Sequence, residues 1–170
     1  LLEKLTDRSV MLGGIGVMVA GLFAGILVAG HASLMVLWFV LGLGYSTAQT
    51  PSGRLLRRTS NPEDRPALFA AQFALSHACW LFFYPLAGWL GTRFGMTATF
   101  VMLGCAGALA VWVTTMVWPS QDPDVIEHEH PDLPAGHAHT LGAVDNGDQG
   151  RHAHAFVVDD QHPHWPSVGR

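Results

Sequence analysis

Charged residues are missing from two long stretches of the chain. Residues 9–53 contain no Asp, Glu, Lys or Arg, and residues 66–118 contain only Arg93. A water-soluble domain of this size would scatter charge along every element. Apolar runs within these stretches are long enough to cross a hydrocarbon core of about 30 Å as helices. The pattern predicts an all-α membrane protein with four transmembrane helices, at about 10–30, 34–50, 66–91 and 96–118.

The chain after residue 118 has the opposite character. It is polar, rich in Pro, Gly, Asp and His, and too poor in apolar residues to build a core of its own. We therefore predict two parts, a transmembrane region at 1–118 and a largely disordered tail at 119–170. Cys79 and Cys105 lie in apolar runs and are interpreted as small buried hydrophobes. The tail lacks C-x-x-C and H-E-x-x-H spacings, so we expect no enzyme activity.

The loop between the second and third predicted helices is basic. It contains four arginines, and Lys4 and Arg8 precede the first helix, whereas Arg93 is alone on the other side. Cytoplasmic loops of membrane proteins carry the excess of Lys and Arg. The bias predicts a multi-pass protein of the inner (plasma) membrane whose lead-in, basic loop and tail are all cytoplasmic. The loop arginines are Arg54, Arg57, Arg58 and Arg65.

Small residues recur at helical spacing in the predicted spans. Gly21, Gly25 and Ala29 lie four residues apart, as do Gly104 and Ala108. Small residues let helix backbones approach closely in lipid, where hydrophobicity no longer drives association. We expect these positions to contact neighbouring helices. In the third span, Pro85 is expected to kink the helix, and Ser60 or Asn61 followed by Pro62 is expected to start it.

The charged segment before the first span, residues 3–8, resembles a signature of the major facilitator superfamily of secondary transporters. That signature runs roughly Gly-x-Leu-x-Asp-Arg-x-Gly-Arg in cytoplasmic loops, and Leu5, Asp7 and Arg8 match it. Glu3 stands where the first Gly belongs, and Val10 and Met11 replace the final Gly-Arg. The order of charged loop, Gly-rich span, basic loop and Pro-containing span is similar to spans nine to twelve of a twelve-span facilitator.

The resemblance implies a C-terminal third of a transporter whose missing N-terminal spans are its partner, beside the lipid bilayer. A start without Met fits this expectation. Transporters of the family that this chain resembles move a solute by alternating access between two six-span halves, and the substrate site lies at the membrane midplane between them. Nucleic acid is not expected as a partner, because no basic patch is interleaved with aromatic residues.

Polar side chains inside the spans are candidates for the substrate pathway, because lipid cannot satisfy them. The second half of the second span is polar. Its side chains face the interior of the bundle, or alternatively this half of the helix lies at the membrane interface. His77 can relay protons or bind a ligand, or alternatively bond to a neighbouring helix carbonyl. The spans contain no Asp or Glu to couple protons. The candidate pathway residues are Tyr45, Gln49, Gln72, Ser76 and His77.

The tail contains four His-x-His pairs. In extended chain, residues i and i+2 point the same way, so each pair can chelate one ion of Ni²⁺, Co²⁺, Zn²⁺ or Cu²⁺. A solvated acidic tail with incidental histidines is the alternative. The architecture is similar to nickel-resistance permeases with His-rich C termini. The candidate metal ligands are His128, His130, His137, His139, His152, His154, His162 and His164.

Two functions are compatible with these features. One is a major-facilitator-type exporter, of a small solute or of a divalent metal loaded from the tail. The other is a four-span anchor that presents a metal-buffering or sensing tail and transports nothing. In both, no cofactor is required and any divalent metal is bound by the tail.

Overall fold

The computed structural model describes residues 5–120, 125–129, 151–159 and 162. Helices dominate it, and three are long and apolar enough to cross a membrane. This agrees with the predicted class of helical membrane protein. The elements are α1 (Asp7–Ala24, continued by a 3₁₀ turn at Gly25–Leu27), α2 (His31–Gln49), α3 (Ser52–Arg58), α4 (Arg65–Val117), β1 (Val125–Glu129) and β2 (Arg151–Ala155).

Local side-chain hydrogen bonds set the beginnings of α1 and α2. The Thr6 hydroxyl accepts from the Ser9 amide at 3.2 Å and caps α1. The Ser33 hydroxyl accepts from the Ala29 and Gly30 amides and donates to the Gly30 carbonyl at 2.8 Å. These bonds satisfy backbone groups that a helix end leaves unpaired. Both helices therefore begin about three residues before the positions that the apolar runs alone predict.

The closest contact between helices joins α1 and α2 at glycines. A Cβ atom on Gly14 would lie 2.5 Å from the Ala48 amide nitrogen and 2.7 Å from the Gly44 carbonyl oxygen. A Cβ on Gly21, about two turns further along α1, would lie 2.8 Å from a Leu41 methyl carbon. Position 14 thus faces 44 and 48, and position 21 faces 41, so the two helices are antiparallel. Gly21 was expected to pack in this way, whereas Gly14 was not singled out.

Gly95 interrupts α4. Its φ of 82° and ψ of 165° lie outside the helical region, and among the described residues no other has a positive φ. In a straight helix, residue 99 would lie about 12 Å beyond residue 91 along the axis. A Cβ on Gly91 would instead lie 3.9 Å from Thr99 Oγ1 and 3.5 Å from Met96 Sδ. The chain therefore folds back at Gly95, and α4 consists of two segments, 65–94 and 96–117.

The second segment of α4 packs against α1. Phe100 lies against Gly25, Phe23 against Gly104, and Val19 against Gly107, with separations of 2.6–3.0 Å from an added Cβ. Residue numbers rise on one helix as they fall on the other, so the pair is antiparallel. Small residues again mark the contact. Helix α1 therefore packs against both α2 and α4 and is the central helix of the bundle.

Large apolar side chains cover the outer surfaces of the helices. Leu81 is 79% exposed, Leu27 77% and Val117 76%. Exposed apolar area on this scale is foreign to a water-soluble monomer and is typical of a surface that meets lipid or other helices. The fold thus has little buried core within the bundle, and Leu37 and Leu90 are among the few buried apolar residues there.

The tail contains a small antiparallel sheet. Strands β1 and β2 pair so that Val125 is opposite Ala155 and Ile126 is opposite His154. Ile126, Phe156 and Val158 form a buried cluster beside the sheet. The described part of the tail thus contains a sheet and a small apolar cluster, formed by Ile126 of β1 and two residues that follow β2, which the prediction of a tail without a core did not include. The remaining tail lies outside the described residues.

Three further features differ from the expectations. Helix α3 occupies part of the loop that was predicted to be irregular. Helix α4 begins at Arg65, with Asp64 as its cap residue, rather than near Pro62. Helical backbone angles continue through Pro85, and the interruption falls at Gly95. The third and fourth predicted spans therefore correspond to the two segments of one long interrupted helix.

A methyl group at Gly14 should separate α1 from α2. Gly14→Ala is expected to destabilise the chain by about 1–3 kcal/mol, because the atoms it would meet belong to the backbone and cannot move aside. Thermal unfolding in detergent micelles measures the change. Gly16→Ala is the matched control, since a Cβ there meets nothing within 4 Å. Equal melting temperatures for the two variants would contradict the α1–α2 contact.

Candidate functional site

An ion pair ties α1 to α3 at the end of the bundle where α1 begins. Asp7 is buried at 5% exposure, and Arg54 Nε donates to its Oδ2 at 3.1 Å while Nη2 donates to Oδ1. The two parallel bonds match the planar guanidinium to the carboxylate. The carboxylate also lies in the first turn of α1, where the helix dipole favours a negative charge. The Asp7 carboxylate thus contacts the guanidinium of α3 and lies at the start of its own helix.

The neighbouring residue, Arg8, ties α1 to the end of α4. Its Nε donates to the Trp118 carbonyl at 3.2 Å, and its Nη2 donates to the Thr115 carbonyl at 3.4 Å. The last carbonyls of a helix lack partners within the helix and carry partial negative charge. Arg8 therefore acts as a cap supplied by a different helix. The consecutive residues Asp7 and Arg8, which the family signature contains, fix α1 to two elements.

The described tail also contacts this end of the bundle. The Val158 amide donates to the Arg58 carbonyl at 2.9 Å, across about 100 residues of chain. Arg58 is buried at 7% exposure, and buried Ser60 donates to the Leu56 carbonyl. Arg57 is exposed and Arg65 is half-buried. We call this region, formed by Asp7, Arg8, α3 and Trp118, the basic end.

The candidate pathway residues on α2 pair with each other. Gln49 Nε2 donates to the Tyr45 hydroxyl at 3.2 Å, one helical turn away, and both side chains are exposed. No hydrogen bond joins them to Gln72, Ser76 or His77 in the described part of the chain, because α1 lies between α2 and α4. The structure therefore presents two separate polar patches, one on each helix. Their role in a pathway stays a prediction.

Helix α4 carries a continuous run of aromatic rings around His77. Ring centroids are 3.9 Å apart for Phe73 and His77, 4.8 Å for His77 and Trp80, and 6.3 Å for Trp80 and Tyr84. His77 Nδ1 lies 2.8 Å from the Phe73 carbonyl oxygen, which Ser76 also contacts. A carbonyl only accepts, so Nδ1 carries the proton and Nε2 has the lone pair. His77 is thus satisfied by its own helix, not by a neighbouring one.

The sheet brings tail histidines together in a way that the His-x-His pattern does not predict. His128 and His152 are partners in the strand register. His154 and His162 have ring centroids 5.1 Å apart, although they belong to different pairs. Asp159 Oδ1 lies 2.9 Å from Nδ1 of buried His162. Among the residues described, no group of three His, Cys, Asp or Glu converges. His130, His137, His139 and His164 lie outside them.

Sequence reasoning missed three contributors to these sites. The carbonyls of Thr115 and Trp118 bind Arg8 through backbone atoms, which leave no sequence signal. Arg54 was assigned to the loop, but not as the partner of Asp7. Asp159 was not selected, although an acidic residue three positions before a histidine is a local signal for a turn with a side-chain bond.

The apolar helices, their glycine contacts and the charges collected at one end define a helix-bundle integral membrane protein. The family comparison is more specific. The model of the Major Facilitator Superfamily matches residues 1–147, and the chain belongs to that family. The family consists of transporters rather than enzymes, in agreement with the expected absence of catalysis. Neither a curated protein nor a solved structure gives a significant match.

Loss of Arg54 should weaken the basic end more than loss of its neighbour. Arg54→Ala leaves the Asp7 carboxylate buried without its guanidinium, and we expect a loss of about 1–2 kcal/mol of stability, moderated by the partial exposure of Arg54. Thermal unfolding in micelles measures it. Arg57→Ala removes the same charge from an exposed position of the same helix. Equal destabilisation by the two variants would show that net charge, and not the ion pair, matters.

Proposed function

We propose that this chain is the C-terminal portion of a major-facilitator-type exporter, with four spans, and that its cargo is a divalent cation such as Ni²⁺ or Co²⁺. Its partners are the remaining spans of the same transporter and the surrounding bilayer. In this proposal the tail is a cytoplasmic collector of the ion, similar to the His-rich C termini of nickel-resistance permeases. Family membership supports transport, and the tail supports the choice of cargo.

The reversal at Gly95 supports four spans. The two segments of α4 have 30 and 22 residues, and each is long enough for one crossing, which requires about 20 residues. One straight helix of 53 residues would extend about 80 Å. With a reversal there, Arg8 and Trp118 meet at the same end of the bundle, as they do through the Arg8 bonds. The excess of arginines at this end favours a cytoplasmic location.

The observation that carries the metal proposal is the contact of the tail with the basic end. Val158 bonds to Arg58, and the same segment contains the contact between His154 and His162. Imidazole ligands are therefore concentrated next to the loop between the second and third proposed spans. An exporter loads its cargo from the cytoplasm, so a ligand-rich tail at that location raises the local concentration of ion available to the pathway.

The aromatic run on α4 favours a second candidate cargo, a small organic solute. Rings of Phe73, Trp80 and Tyr84 flank His77 and offer faces for stacking or for a cation. In that case the tail acts as a sensor or a buffer. Metal accumulation distinguishes the two cargoes.

Cysteine labelling tests the four-span topology. In the full transporter, with Cys79 and Cys105 replaced by Ser, we expect a membrane-impermeant maleimide to label Ala32→Cys in intact cells. Asn61→Cys and Ser120→Cys should react only after permeabilisation, because the proposal puts both on the cytoplasmic side. All three positions are exposed, so access to reagent does not differ between them. Labelling of Ala32→Cys and Asn61→Cys from the same side would overturn the topology.

Metal accumulation tests the cargo. Cells that express the full transporter should hold less nickel or cobalt than cells with an empty vector, and a version truncated after Pro119 should lower the metal content less. Elemental analysis of washed cells at matched expression measures both. Unchanged nickel, cobalt and zinc in both strains would contradict metal export. If the tail still binds metal in that case, the anchor with a buffering tail becomes the better interpretation.

A further inference from the structure

We propose that one divalent cation binds between His154 and His162, and that this ion fastens the tail to α3. The inference rests on the proposed function only in taking the tail to be a metal ligand, and it goes further by naming the two ligands and the mechanical consequence. The pair differs from the expected chelation within a His-x-His unit, because its members come from two different units.

The spacing of the two rings suits a shared ion. A metal–Nε2 bond of about 2.1 Å places the metal about 3.2 Å from the ring centroid, so two imidazoles on one ion at tetrahedral or square angles have centroids about 4.5–5.2 Å apart. The observed separation of His154 and His162 is 5.1 Å, with the rings inclined at 67°. The separation of the two centroids is therefore compatible with one ion shared by both rings.

The hydrogen bonds of both rings select the tautomer that a metal requires. His162 Nδ1 lies 2.9 Å from Asp159 Oδ1, and His154 Nδ1 lies 2.8 Å from the Ala155 carbonyl oxygen. Both oxygens are acceptors, so Nδ1 carries the proton in each neutral ring and the lone pair is on Nε2. An Nδ1–H bond to a carboxylate or carbonyl is the usual outer partner of a metal-bound histidine, and it orients the ring. Asp159 is thus a positioning residue.

The ligands lie on both sides of the segment that docks on the bundle. His154 belongs to β2, His162 follows the turn closed by reciprocal backbone bonds with Asp159, and Val158 between them donates to the Arg58 carbonyl. His162 also packs against Phe156, with centroids 4.9 Å apart. An ion that joins residues 154 and 162 therefore closes the loop that contains both Val158 and the buried Phe156. Such an ion holds this loop in the conformation in which Val158 bonds to Arg58, and we therefore expect the docked form to bind the ion more tightly than the undocked form.

Only two protein ligands are assigned, which fixes the chemistry of the site. Within the described residues there is no third convergent ligand. Two neutral imidazoles favour Ni²⁺, Cu²⁺, Zn²⁺ and Co²⁺ over Mg²⁺ and Ca²⁺, which prefer oxygen.

Hydrogen exchange of the Val158 amide, measured on the full chain in micelles, tests the proposal. Ni²⁺ at a hundred times its dissociation constant should slow this exchange about a hundredfold, because the ion binds the closed form and not the open one. Mg²⁺ at the same concentration should have no effect. His154→Ala and His162→Phe should abolish the slowing; the second variant keeps a ring against Phe156. His31→Ala removes an exposed histidine at the start of α2 that is assigned to no site, and it should leave the slowing intact.

The outcomes separate this proposal from metal export. Exchange without Ni²⁺ must be the same in each variant as in the unaltered chain, which shows that docking survives the substitution. Under that condition, slowing by Ni²⁺ that persists in His154→Ala and His162→Phe would overturn the shared site. Asp159→Asn should weaken Ni²⁺ binding about tenfold to a hundredfold while retaining the slowing at saturation. Unchanged cellular nickel together with slowed exchange would refute export and leave the site standing.

Discussion

The close approach of α1 to α2 at Gly14 is the contact on which the rest of the fold depends. Lipid gives two apolar helices no hydrophobic reason to associate, so their association relies on packing, and packing is closest where a side chain is absent. At Gly14 the backbone of α1 lies directly against the backbone of α2. That register brings the end of α2, and the short α3 after it, next to the start of α1, where Arg54 reaches Asp7.

Hydrogen bonds and an ion pair at the basic end add to the packing of the helices at their glycines. Asp7 binds α3, Arg8 binds the carbonyls at the end of α4, and the Arg58 carbonyl receives the tail. Each interaction joins segments that are far apart in the chain, and all of them lie at the same end of the bundle. The described tail, α3 and α1 are therefore joined by successive hydrogen bonds at the basic end.

The sequence predicts the elements whose signal is local and strong. Charge-free stretches locate the apolar helices, and the Leu5-Thr6-Asp7-Arg8 resemblance leads to the family that the comparison identifies. Features that depend on contacts between residues far apart in the chain are not predicted. Gly95 lies between the third and fourth predicted spans, but its positive φ has no local signal, and only the return of 96–117 to α1 requires it. The β1–β2 pair joins residues separated by 22 to 30 positions, and neither strand has a clear alternation of apolar and polar residues that would predict it.

The distinction between local and distant contacts also separates two ways in which the tail histidines could bind a metal ion. Chelation within a His-x-His unit depends on two neighbouring residues and would proceed whether or not the tail is folded. The contact between His154 and His162 exists only when β2, the turn at Asp159 and the buried Phe156 are in place. A ligand pair assembled by folding is sensitive to folding, and by reciprocity the ion stabilises the fold that assembles it. Because this segment bonds to the Arg58 carbonyl, the proposed metal site would couple metal occupancy to the docking of the tail on α3.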